Sequence, residues 1–183
     1  MDNDFRLRKA TVRDVPALVA LVNSAYRGDS SRAGWTTEAH LLGGIRIDTE
    51  RLESAIGTDG HVVLVYESDD DVVSCVHLEK TADGCYLGML TTRPTLQGTG
   101  VGRKMIEAAE AWAVDHWHVR AMHMTVLMQR PELIAWYERR GYVVTTERKP
   151  FPYGDERWGL PTRDDLAFVV LRKELRGELR IET

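Results

Sequence analysis

Apolar residues recur at helical spacing in some stretches of this chain and alternate at strand spacing in others. Val15, Leu18, Val19 and Val22 fall on one side of a helix. Thr11 precedes that stripe as an N-cap, and Asp14, three residues on, stands in capping-box position. The helix is expected to reach about Tyr26, with a short strand, Phe5 to Lys9, before it. The polar, glycine-bearing stretch from Arg27 to Gly34 reads as a loop. Thr36 or Thr37 opens a second predicted helix running to about Arg46, and Asp48 caps a short one through Ile56.

The period then changes. His61 to Tyr66, Val72 to Glu79 and Cys85 to Thr92 are β-rich runs separated by Ser68-Asp69-Asp70-Asp71 and by Asp83-Gly84, a hairpin signal. They predict an antiparallel meander. After Pro94, Val101, Met105, Ala108, Ala109, Trp112 and Ala113 return to helical spacing, with Arg103, Lys104, Glu107 and Glu110 opposite. That helix is expected to end near His116. Ala121 to Met128 alternates as a strand, and Glu132 to Arg140 reads as a helix closed by Gly141. Tyr142 to Glu147 and Leu166 to Lys173 are two more strands, joined by a long loop, Arg148 to Arg163, carrying prolines and aromatics. The order is β-αα-βββ-α-β-α-ββ: an α/β (α+β) chain with a mixed sheet, in one domain spanning 1–183.

The 183 residues carry a net charge of -4, which argues against a nucleic-acid partner held through phosphates. No apolar run approaches the ~20 residues a membrane span needs, and the N-terminus has no signal-peptide core, so a soluble, cytoplasmic, non-membrane protein is expected. Cys75 and Cys85 make no disulfide framework and read as reduced, buried thiols. His116, His118 and His123 have no zinc-site spacing, so no metal is expected.

The most informative stretch is Gln97-Gly98-Thr99-Gly100-Val101-Gly102, a turn between a strand and a helix. The first N–H groups of a helix have no intrahelical partner, and the helix dipole adds positive charge there, so such a turn suits a phosphate. Glycines let backbone and ligand approach closely, and Arg103 and Lys104 add cationic side chains. Taken alone, the same residues also fit an ordinary turn and cap. The P-loop pattern is absent, and the glycine spacing and late position do not match the Rossmann fingerprint.

The stretch from Leu90 to Gly102 closely resembles the CoA-binding signature of the GNAT superfamily of N-acetyltransferases, with Gln97, Gly100 and Gly102 in its key positions. Thr92 stands where valine is usual. Trp136-Tyr137-Glu138-Arg139-Arg140-Gly141-Tyr142 resembles that family's second segment, and the element order resembles its fold from end to end. The resemblance implies a mostly antiparallel sheet split between the fourth and fifth strands, helices on both faces, and acetyl-CoA as acyl donor across the split. It places backbone groups of Leu90, Thr91 and Thr92 along the pantetheine arm, and Gln97, Gly98, Thr99, Gly100, Val101, Gly102, Arg103 and Lys104 around the pyrophosphate. Tyr137 matches a tyrosine near the thioester sulfur. Where family members often carry an asparagine, this chain has Arg130, followed by Pro131.

Amine acylation requires a neutral amine, and an ammonium of pKa ~10.4 is charged at neutral pH, so a proton must leave. The leaving thiolate needs a proton donor, which Tyr137 suits. The fourth strand holds no acid, so the base is left open among His77 and Glu79, which share one face of the third strand, and Glu38. Trp35, Phe151, Tyr153 and Trp158 form either an aromatic acceptor pocket or loop packing. The expected activity is acetyl transfer to a primary amine of a small-molecule or amino-acid-like acceptor by direct attack in a ternary complex. A protein or peptide acceptor, a non-catalytic acyl-CoA sensor and a homodimer remain open.

Overall fold

The computed structural model describes residues 5–175. Its elements, in chain order, are β1 (Arg6–Lys9), α1 (Val15–Tyr26), α2 (Gly28–Ser31), β2 (Leu42–Gly43), α3 (Thr49–Gly57), β3 (His61–Ser68), β4 (Asp71–Thr81) and β5 (Gly84–Thr92). There follow α4 (Val101–Trp117), β6 (Ala121–Leu127), α5 (Pro131–Glu138), β7 (Val143–Pro150), β8 (Leu160–Pro161) and β9 (Ala167–Glu174). A seven-stranded sheet runs in the order β1-β3-β4-β5-β6-β9-β7, and β2 and β8 form a separate small ribbon. Every neighbouring pair is antiparallel except β5 and β6.

Alternation along the strands sends side chains to two cores. Val62, Leu64, Val76, Leu78, Cys85 and Leu87 pack with Met105, Ile106 and Ala109 of α4. Val63, Val65 and Cys75 face the other way, onto Val15, Leu18 and Val22 of α1 and Leu52 of α3. Helices therefore cover both faces, as the family resemblance implies. A third cluster, Leu41, Leu42, Leu127, Phe151 and Leu166, seats the β2–β8 ribbon.

Two departures from regular pairing shape the centre. The β4–β5 register slips between Cys75 and His77, and Met89 has a left-handed φ of 53°. Strict alternation would turn Met89 to the α4 face, beyond Cys85 and Leu87. The bulge turns it to the α1 core and gives the α4 side to Leu90. The second departure is β5 against β6, which pair at Cys85↔Met122 and Tyr86↔His123, near the start of both strands. Beyond that point a cavity opens between them, lined by Gly88, Leu90, Thr125 and Leu127.

The helix predicted from Thr36 or Thr37 to Arg46 does not form. The segment makes one turn, with the Leu41 and Leu42 amides donating to the Glu38 carbonyl at 2.8 Å each. Gly44 then adopts φ 79°, and Leu42-Gly43 pairs with Leu160-Pro161. Gly43-Gly44 disfavours a helix here, and Leu41 and Leu42 are buried together against Phe151 and Leu166 instead. The 27–34 stretch contains the short α2. The 148–163 stretch is not one structureless loop: β7 continues to Pro150, and a 3₁₀ turn at Glu156–Trp158 leads into β8. The Asp69-Asp70 hairpin turn has positive φ at both residues (50° and 66°), which Asp tolerates. Cys75 and Cys85 are unpaired and buried, and burial pushes both thiols up to about 12. Among the described residues no helix is long and apolar enough to cross a membrane.

The entry to α1 is fixed by charge. The Arg8 guanidinium donates to both Asp14 oxygens at 2.8 and 2.9 Å, and the Thr11 amide donates to Asp14 Oδ2 at 2.7 Å. These bonds, Arg8 foremost, pull the Asp14 carboxyl down to about 2. A depressed carboxylate pKa stabilises the fold above the unfolded value, near 4, and the gain disappears as pH falls through 2. Asp14→Asn should therefore lower urea stability by about 1–2 kcal/mol at pH 6, with the difference from the parent closing as the pH drops toward 2. A constant difference across that range would assign the effect to packing.

Candidate active site

The glycine turn sits where the sheet opens. Gly98 and Gly100 take φ 82° and 93°, and a Cβ on either would meet nothing within 4 Å. Backbone conformation demands glycine at these two positions, and the space beside them is empty for a ligand. Gly100 is the N-cap of α4, so the free N–H groups of that helix begin here. Gly102 differs: its Cβ would lie 3.3 Å from Thr92 Oγ1 and 3.7 Å from Trp136, so closeness of helix, strand and α5 is its constraint.

A cavity of about 290 Å³ lies over the turn. Of the predicted cofactor residues, Leu90, Thr92, Gln97, Gly98, Gly100, Gly102 and Arg103 line it. Thr91 is buried, with its hydroxyl donating to the Met89 carbonyl at 3.0 Å. The Thr99 hydroxyl donates to the Leu96 carbonyl within the turn at 2.7 Å, Val101 is core, and the Lys104 side chain is not among the lining groups. Gln97 acts as a clamp. Its Oε1 accepts from the Trp35 amide at 2.9 Å, and its Nε2 donates to Thr36 Oγ1 at 2.8 Å and the Thr92 carbonyl at 3.1 Å. One side chain thus ties the 35–36 segment to the end of β5.

Sequence reasoning passed over Trp136 and Arg140 as ligand groups. The Arg140 guanidinium lies 3.4 Å from the Trp136 ring centroid, and its buried Nε has no partner. Both line the cavity. An open backbone cradle, a helix N-terminus, Arg103 and an unpartnered Arg140 nitrogen together fit the pyrophosphate-bearing acetyl-CoA. The one available signal was the basic run Arg139-Arg140 in the second motif.

A second cavity, about 80 Å³, occupies the split itself. Tyr26, Leu90, Leu133 and Tyr137 line both cavities, so the two meet there. Tyr137 is 6% exposed, burial pushes its phenol well above the ordinary value, and among the described residues its hydroxyl has no hydrogen-bond partner. The Tyr26 hydroxyl donates to the Leu90 carbonyl. Tyr86 and Thr125 bridge the split through their hydroxyls at 2.9 Å.

Glu38 lines the second cavity within an ion network. Its carboxylate pairs with Arg27, and with Arg130 Nη1 at 3.2 Å. Burial raises the Glu38 pKa, but Arg27, Arg46 and Arg130 outweigh it and hold the carboxyl below its usual value. Arg130, fully buried, also stands 3.6 Å from Glu132. His77 and Glu79 line neither cavity. The two share a face as predicted, opposite Gly88 and Tyr86 of β5, and there His77 stacks on His61 with 3.0 Å between Nε2 and Nδ1. Burial, with His61 adding to it, pushes His77 down to about 4. Its Nδ1 is nevertheless 3.9 Å from where a Cβ on Gly88 would stand. The four aromatics divide: Trp35 lines the first cavity, Phe151 and Trp158 the second, and Tyr153 packs the loop, its hydroxyl accepting from the Leu166 amide at 2.7 Å.

The geometry is that of two cavities that meet at a tyrosine. Residues 21–142 match the acetyltransferase (GNAT) family. The chain belongs to that family, whose members are N-acetyltransferases drawing their acyl group from acetyl-CoA. Solved structures agree in fold. A ribosomal-protein-alanine N-acetyltransferase from Brucella melitensis superposes with a TM-score of 0.69 at 20% identity, over 93% of this chain and 99% of that one. A chimeric spermidine N-acetyltransferase from Vibrio cholerae gives 0.66 at 15%, over 93% and 95%. A Salmonella typhimurium structure solved with its cofactor acetyl-CoA gives 0.69 at 19%, over 97% of each chain.

Glu38→Ala should destabilise the protein by about 3–5 kcal/mol in urea unfolding, because it strips the shared carboxylate from two buried guanidiniums. A loss below ~1 kcal/mol would mean that water or Glu132 compensates them.

Proposed function

We propose that this enzyme acetylates the primary amine of a small acceptor, by direct attack on acetyl-CoA bound beside it. The observation that carries this reading is the meeting of the two cavities at Tyr137. Acetyl-CoA supplies the activated acyl group. Gly98, Gly100 and the α4 N-terminus, with Arg103 and Arg140, hold the pyrophosphate, and Leu90 to Thr92 flank the pantetheine arm. The small volume of the second cavity, roofed by Phe151 and Trp158, favours a compact acceptor over an extended peptide. Relatives of the same fold act on a spermidine and on a ribosomal-protein alanine, so the fold does not choose between the two kinds.

Tyr137 Oη keeps its proton at neutral pH and donates it to the leaving sulfur. Glu38 is a carboxylate occupied by two guanidiniums, which suits holding an ammonium more than removing a proton. Proton removal is assigned to His77 through a water at Gly88: the neutral imidazole takes the proton on one nitrogen and passes one from its Nε2 to His61 Nδ1, 3.0 Å away, and His61, partly exposed, releases it to solvent. Glu79 lines neither cavity and is given no role.

Tyr137→Phe should lower kcat by about 100-fold or more while the acetyl-CoA dissociation constant stays within about twofold. Unchanged kcat in steady-state assays would remove Tyr137 from the chemistry and leave it a core aromatic.

A further inference from the structure

The charges around the second cavity do not balance. Arg27, Arg46 and Glu38 line it, and Arg130 stands behind Glu38. The single lining carboxylate is already shared between Arg27 and Arg130. Arg27 is 5% exposed, and its Nε is buried without a partner. Arg130 is fully buried, with Nη2 likewise unpartnered. The Arg46 guanidinium lies 5.6 Å from the Tyr26 ring centroid, and among the described residues no carboxylate stands within ion-pair distance of it. Buried guanidiniums are costly unless each N–H finds an acceptor, and their planar fork matches a carboxylate.

A plain amine would bring one more positive charge to this wall. A zwitterion would bring its own counter-charge. Resting on the acetyltransferase reading above, we infer that the acceptor is a free α-amino acid, its carboxylate held by Arg27 and Arg46 and its amine by Glu38 beside Tyr137. The rest of the cavity carries no charge: Leu42, Met124, Phe151, Trp158 and Phe168, with the Tyr86 and Thr125 hydroxyls, leave an uncharged surface for the side chain. The volume of about 80 Å³ suits one residue and not a peptide, whose carboxylate would in any case lie far from its terminal amine. Polyamines, cationic at both ends, are disfavoured by the same wall.

The test is steady-state release of CoA from acetyl-CoA, with the common L-amino acids as acceptors, each apolar one compared with its decarboxylated amine and its amide (leucine with 3-methylbutylamine and leucinamide, phenylalanine with phenethylamine and phenylalaninamide). The expected result is that at least one free amino acid exceeds its decarboxylated partner in kcat/KM by about 100-fold, chiefly through KM. Arg46→Gln should collapse that preference, and Arg46→Lys should keep part of it, with folding checked by melting temperature. Decarboxylated amines acetylated as well as the acids would overturn the inference and leave the acetyltransferase reading standing. No transfer to any acceptor, by a protein shown to bind acetyl-CoA, would overturn both.

Discussion

Strands β5 and β6 hold each other at Cys85↔Met122 and Tyr86↔His123 and then part, and the site follows from that divergence. Backbone N–H and C=O groups away from water must find partners. Where two parallel strands diverge inside a sheet, the partners must be side chains, water or a ligand. The Tyr26 hydroxyl takes the Leu90 carbonyl, and Tyr86 with Thr125 pins the split near its apex. What is left open is a slot whose edges are strand backbone and whose floor is the glycine turn. The Met89 bulge belongs to the same design, because it turns Leu90 to the cavity side while keeping Met89 in the α1 core.

The second constraint is charge. Glu38 joins Arg27, just past α1, to Arg130, just before α5, across the split. Gln97 makes a neutral version of the same link, tying Trp35 and Thr36 to Thr92. Together they fix the 35–38 segment over the site. A buried ion pair contributes little net stability, but removing one partner is costly, so the network specifies position more than it stabilises.

Much of this was legible in the sequence because it is local. The periods of α1, α4 and the β3–β5 meander follow from residues a few positions apart, and the glycine turn is a contiguous motif that the fold then opens onto a cavity. Tyr137 is pointed to by the resemblance of the Trp136 to Tyr142 stretch to the family's second segment. What was not legible is pairing at long range. Arg27, Glu38 and Arg130 are separated by as much as 92 residues in the bond that joins Glu38 to Arg130, and nothing at any one of them signals the others. The β2–β8 ribbon, pairing Leu42 with Pro161, was invisible for the same reason, and its segment was read as a helix. His77 and Glu79 were correctly placed on one face, which they share with Gly88 and Tyr86 of the split, but period alone does not say that both stop short of lining the cavity.

The central claim is that the cavity over Gly98 and Gly100 holds an acyl-CoA. The most direct measurement is the melting temperature of the purified protein titrated with acetyl-CoA, CoA and NAD. A ligand that binds only the folded state, at 100 times its dissociation constant, adds about 2.7 kcal/mol. The account predicts a saturable rise with acetyl-CoA and with CoA, and none with NAD. A folded sample whose melting temperature neither CoA species raises would contradict it.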